Sequence, residues 1–160
     1  MITIPVWALT IIVFAVVVIA VAALMAVGMA NRLNRLHIRT DSARLSLEGA
    51  LSARAAVIAA VQPELSEQAK AASRVVLKAS DMSARSDAEN ALLTRLDKDV
   101  LTHPSFIEAA TRVDLAARFY NDAVGATLTL RHRPAVRGLK LAGSAPLPEY
   151  YEAMAAGNPR

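Results

Sequence analysis

The side chains able to do chemistry in this chain are few and scattered. Metal sites need His, Cys or carboxylates clustered at ligand spacing, but His37, His103 and His132 fall in three separate segments with no H-x-x-x-H pair. The chain has no cysteine, which excludes a thiol nucleophile. It also has no G-x-S-x-G elbow, no phosphate-binding P-loop and no G-x-G-x-x-G turn. Nothing signals a Ser-His-Asp arrangement. The histidines read as surface or junction residues, and we expect no catalysis, no metal and no cofactor.

The charged residues are more informative. Arg54 falls on an apolar helical seam, and Asp114 and Arg118 stand one i,i+4 step apart. They could form a polar layer that fixes helix register, but the simpler expectation is snorkelling plus a surface ion pair. The densest basic patch is Arg131, His132 and Arg133 with Arg137 and Lys140. It suits anionic lipid or acidic groups on a partner. Nucleic acid is disfavoured, because no aromatic stacking platform accompanies it. Its position depends on the connection between the long helices. If residues 64–101 form one return arm, the patch ends far from a membrane; if 64–79 and 87–101 pack as two antiparallel helices, it ends near one.

These residues are carried by a chain of 160 amino acids and 17.0 kDa whose apolar character is concentrated at one end. No charged residue or histidine occurs from Met1 to Asn31, so all 18 Lys+Arg and all 14 Asp+Glu lie beyond it. A helix needs about 20 apolar residues to cross a bilayer, and residues 6–30 supply that run with Trp7 placed as an interfacial anchor. A cleaved leader would have a positive n-region and a shorter apolar stretch, whereas Met1–Pro5 carries no charged side chain. Arg32, Arg35, Arg39 and Arg44 follow the run. Cationic flanks remain in the cytoplasm, so the expected topology puts the N-terminus outside and the C-terminal domain inside the cell membrane. Lack of cysteine agrees with a reducing compartment without requiring one. Fourteen arginines against four lysines, with abundant alanine, suit a GC-rich bacterial genome.

Helical periodicity continues past the span. Leu33, Leu36, Thr40, Ala43, Leu47, Ala50, Arg54, Val57 and Val61 recur at three- and four-residue steps, predicting one rod from Val6 to Val61. Pro63 ends it and can open a second helix, whose apolar face is expected to carry Leu65, Ala69, Ala72, Val76 and Ala79. Ser86 to Glu89 and Ser105 to Glu108 fit capping boxes, with a third segment over 92–101. A last long helix is expected to face inward through Ile107, Ala110, Val113, Ala117, Tyr120, Val124 and Leu128, and to stop at Pro134. Three parts follow: a transmembrane helix at 1–31, a helical domain at 32–133 and a Pro/Gly-containing tail at 134–160. The fold class is all-α, a single N-terminal transmembrane helix continuing into an antiparallel three- to four-helix bundle, with an irregular C-terminal tail.

The segment Ala117-Arg118-Phe119-Tyr120-Asn121-Asp122-Ala123-Val124 resembles the R-x-Y-N-x-A-V signature in the last long helix of LemA-family proteins. Pro146-Leu147-Pro148-Glu149-Tyr150-Tyr151-Glu152 is similar to that family's closing Pro-and-aromatic tail. The order of features also fits: a short N-terminal segment, one transmembrane helix, then a long helix. Two departures mark a divergent member, since Ala43-Arg44-Leu45 lacks the family's aromatic and Ala53 to Ile58 lacks its basic-Tyr-Asp-Leu-Ile-Pro stretch. The resemblance implies a helical bundle without established catalysis. It gives Arg118, Tyr120 and Asn121 structural roles, with Tyr120 on the apolar face and Asn121 bonded to a neighbouring segment. The expected function is that of a non-catalytic accessory or scaffold subunit docked on integral membrane proteins of a larger complex, a bacterial respiratory supercomplex among the possible hosts. The alternative is a membrane-surface module of envelope-stress type, touching anionic lipid or another protein through Arg131, Arg133, Arg137 and Lys140.

Overall fold

A computed structural model of the chain describes residues 5–138 and 146–152. Every regular element among them is a helix, and the only β-type pairing is an isolated bridge between Lys78 and Asp81. Helix α1 runs from Val6–Val61 as 56 unbroken residues, about 84 Å at 1.5 Å per residue. Its end is set by sequence. Gln62, at φ −128°, is held extended before Pro63, and a 3-10 turn, Pro63–Leu65, reverses the chain. Helices α2 (Ser66–Arg74), α3 (Ser83–Leu93), α4 (Lys98–Leu101), α5 (Pro104–Arg131) and α6 (Pro134–Gly138) follow.

Near its end Met29 packs on the Leu33 cluster, but most of the first half of α1 is exposed among the described residues. Its most apolar 18-residue window has a mean hydropathy of 3.1 and no buried share. It is the one described helix long and apolar enough to cross a membrane, a test that a leader sequence also passes. The second half belongs to a core. Leu33, Thr40, Leu47, Leu51, Arg54, Ala55 and Ile58 are buried, which adds a second stripe, Leu51-Ala55-Ile58, to the expected seam. That stripe receives α2, whose Leu65 turn, Ala69 and Ala72 share a cluster with Ala55 and Ile58.

Helix α5 runs back along α1 in the opposite sense. Phe106 joins the cluster of Ile58, Val113 to Val124 surround Leu47 and Leu51, and Leu130 with Val136 of α6 closes on Leu33. Small residues allow the close approach: Ala109, Ala116, Ala117 and Ala123 are all buried on α5. Midway, Thr40 Oγ1 and Thr127 Oγ1 lie 3.0 Å apart; one hydroxyl donates to the other, and the accepting one donates to its own helix carbonyl at i−4. This neutral pair leaves no polar atom stranded.

Local details depart from expectation where tertiary contacts take backbone groups away. Helix α2 stops at Arg74 and does not continue to Ala79, because the Ser73 and Val75 carbonyls receive Arg85 Nη1 at 3.1 and 2.8 Å. Val76, expected on the apolar face, is therefore 59% exposed. Ser86 and Glu89 lie inside α3, not at its start, so no capping box forms there. At the head of α5 the cap is His103, whose Nδ1 accepts from Ser105 N at 3.3 Å, while Glu108 pairs with Arg112. Phe106 rather than Ile107 enters the core, Ile107 being half exposed. The expected segment over 92–101 is split between the end of α3 and the short α4.

Candidate functional site

Two places concentrate polar chemistry: a charged layer inside the domain and a basic end beside the apolar run. The layer is built from α1 and α3. Arg54 Nη2 donates to Glu89 Oε2 at 3.1 Å, and Arg85 Nε donates to Glu89 Oε1 at 3.0 Å. All three side chains are within 2% of full burial. Arg54 therefore does not snorkel. Its seam position aims it inward at the height of α3, where Arg85 and Glu89, one i,i+4 step apart, meet it. That step was readable in the sequence, but its inward direction was not.

Over this layer lies the described piece of the tail, residues 146–152, which straps the gap between α3 and α5. Tyr120 Oη donates to the Glu149 carbonyl at 2.9 Å. Asn121 holds Tyr151 at both backbone groups, Nδ2 donating to Tyr151 O at 3.0 Å and Oδ1 accepting from Tyr151 N at 2.8 Å. Glu149 N donates to Ala79 O at 2.8 Å, its carboxylate accepts from Met82 N at 3.4 Å, and Arg131 Nη1 reaches Pro146 O at 3.0 Å. The Tyr151 ring is buried in the main core cluster. This part of the tail thus lies on the chain's own helices. Backbone groups make most of its bonds, so an irregular segment can dock without forming a helix or strand.

Burial tunes both tyrosines. Tyr120 is pushed up to about 12, chiefly by desolvation, with Arg44 opposing and Glu149 and Asp41 adding to the rise. Tyr151 is also raised, first by burial and then by the Glu89 carboxylate, while Arg54 and Arg85 oppose. Both hydroxyls therefore keep their protons over the physiological range.

The basic end follows from the return of α5. Residues 75–82 separate α2 from α3, and the pairing of Leu130 and Val136 with Leu33 sets Arg131, Arg133 and Arg137 beside the end of the apolar run. Arg32, Arg35 and Arg39 of α1 are exposed at the same end, as are Arg133 and Arg137. No Asp or Glu occurs in residues 31–40 or 123–138, so arginines outnumber carboxylates in the segments that form that end. Lys140 lies outside the described residues.

Of the motif residues, Tyr120 and Asn121 converge on the strap, whereas Arg118 is exposed and forms no ion pair with Asp114. Among the described residues no group of three or more His, Asp or Glu is placed to hold a metal ion. His37 and Asp41 do meet at one shallow groove of ≈ 260 Å3 beneath Pro146 to Pro148. The hydroxyls at its floor, Thr40 and Thr127, are already bonded to each other. Sequence reasoning missed Glu89, Arg85 and Tyr151, whose importance depends on contacts between segments far apart in the chain. Comparison with family models, curated proteins and solved structures finds no match for this chain.

Proposed function

We propose that this chain is a non-catalytic, single-pass membrane protein acting as an accessory or scaffold subunit of a larger membrane assembly. Residues 1–31 span the membrane with the N-terminus outside, and α1, α2, α3 and α5 form an antiparallel three- to four-helix bundle on the cytoplasmic side. One observation carries the reading: a single rigid helix has an apolar half with no buried share and another half locked into a folded domain. Motion or docking of the domain is thereby tied to the span. Close helix packing in a bilayer favours small residues, and Ala20, Ala22, Ala23, Ala26 and Gly28 supply them along the lower span. The Arg118-x-Tyr120-Asn121 motif and the strap it holds support a likeness to the LemA family, and a bacterial respiratory supercomplex is one host of suitable kind. Affinity purification in gentle detergent tests this. Stable co-migration with integral membrane proteins on a native gel is expected, and a monomer at every detergent level would overturn it.

The basic end favours a second reading, a membrane-surface module that rests on anionic lipid. Six arginines at the membrane exit would each gain about 1 kcal/mol near an anionic leaflet. Liposome binding of residues 31–160 should then fall steeply with salt and with Arg131, Arg133 and Arg137 changed to Ala. An unchanged response removes this reading.

A further inference from the structure

The charged layer is short of acceptors. Arg54 and Arg85 each present several N–H donors, and they meet only the two oxygens of Glu89 and the carbonyls of Ser73 and Val75. Arg54 Nε has no partner. Arg85 Nη2 lies 3.0 Å from Glu89 Oε1 but makes no aligned bond there, because Nε already takes that oxygen. The Tyr151 and Ser86 hydroxyls bond to each other within the field of Glu89, Arg54 and Arg85, which leaves one hydroxyl proton of the pair free. Two guanidiniums and one carboxylate leave one positive charge uncompensated in a nearly dry layer, which is strongly unfavourable. A trapped water could satisfy a donor but would leave the charge. An anion supplies the missing acceptors and the missing charge together.

We propose that this layer is a binding site for a small monovalent inorganic anion of the chloride class, held by Arg54, Ser86 and Tyr151 and closed over by the strap. Arg54 contributes its free Nε–H, the Ser86–Tyr151 hydroxyl pair contributes the one proton not used between them, and Glu89 fixes both guanidiniums so that they cannot turn away. The site is independent of the basic end and does not rest on the proposed membrane role.

The test uses the full chain in detergent, with thermal unfolding followed in sodium chloride and in sodium gluconate at equal ionic strength, gluconate being too large to enter. The midpoint should rise with the logarithm of chloride concentration, as for any ligand that binds only the native state, and the chloride NMR line should broaden on adding protein. Arg54→Met, which removes the excess charge and keeps an apolar side chain of similar length, should abolish both effects. Ser86→Ala keeps the charge and should weaken chloride binding about tenfold, the worth of one hydrogen bond to a charged group, so the proposal stays testable if Arg54→Met fails to fold. The triple change R131A/R133A/R137A should leave both effects intact. Equal midpoints in the two salts without line broadening would mean a trapped water only and would overturn the site. Effects lost with the triple variant but kept in Arg54→Met or Ser86→Ala would assign the anion to the surface arginines instead.

Discussion

The two halves of α1 are one helix with opposite fates. Residues in the upper half such as Val13, Ile19 and Leu24 are 56%, 66% and 74% exposed, whereas Leu47, Leu51 and Ile58 in the lower half are 0% exposed. Aliphatic content alone does not produce this contrast, since both halves are rich in aliphatic residues. It arises because only the lower half has charged residues to partition against. A helix that is apolar all round offers no preferred face, and within its own chain it finds no partner. One that alternates apolar and polar positions buries a stripe and wets the rest. An uncovered apolar helix of that length is a candidate membrane span, and in a bilayer its hydrogen-bonded backbone would be fully satisfied.

Breaking the lower half should cost most where a charge is left behind. Glu89→Ala strands Arg54 and Arg85 inside the domain and should lower stability by about 4 kcal/mol, read from denaturant unfolding of the domain signal. A loss under about 1 kcal/mol would mean that solvent reaches the layer. The helix halves can then be compared with one substitution. Leu47→Ala should cost about 3 kcal/mol through the cavity it leaves, while Leu24→Ala should shift domain unfolding by less than about 0.5 kcal/mol. Equal effects would show that the upper half takes part in the folded core. Asn121→Ala removes both clamps on Tyr151 and should cost about 2 kcal/mol, with faster proteolysis of the tail but little change in helix content by circular dichroism.

A pH dependence is also expected. Tyr120 ionises near 10 when unfolded and at about 12 when folded. The unfolded chain therefore releases this proton first, and the contribution of Tyr120 is complete below pH 10 and lost as pH rises through about 12. Stability of the wild type should fall across that window, where its bond to Glu149 O is also lost. Tyr120→Phe should flatten the fall, and an identical slope in the variant would show that other groups set it.

Much of the helical framework was legible because it depends on local physics. Pro63, Pro104 and Pro134 punctuate the chain at the ends or starts of helices, since proline restricts its own φ and the residue before it. The seam positions Leu33, Thr40, Leu47 and Arg54 lie buried at their expected spacing. The errors cluster where a distant group intervenes. Ser86 and Glu89 satisfy the pattern of a capping box, yet Glu89 is drawn into the interior by Arg54, 35 residues earlier in the chain. Helix α2 has the periodicity to continue through Ala79, yet Arg85 claims the carbonyls at its end.

Sequence alone determined where this chain is charge-free, where it is amphipathic and where proline stops each helix, because those properties reside in neighbouring residues. Tertiary structure decided which charges are buried, which tail residues form the strap and which end of the domain becomes basic. Those outcomes depend on α5 returning antiparallel along α1. That return brings Leu130 to Leu33 and Tyr120 to the tail, a pairing that no local spacing encodes.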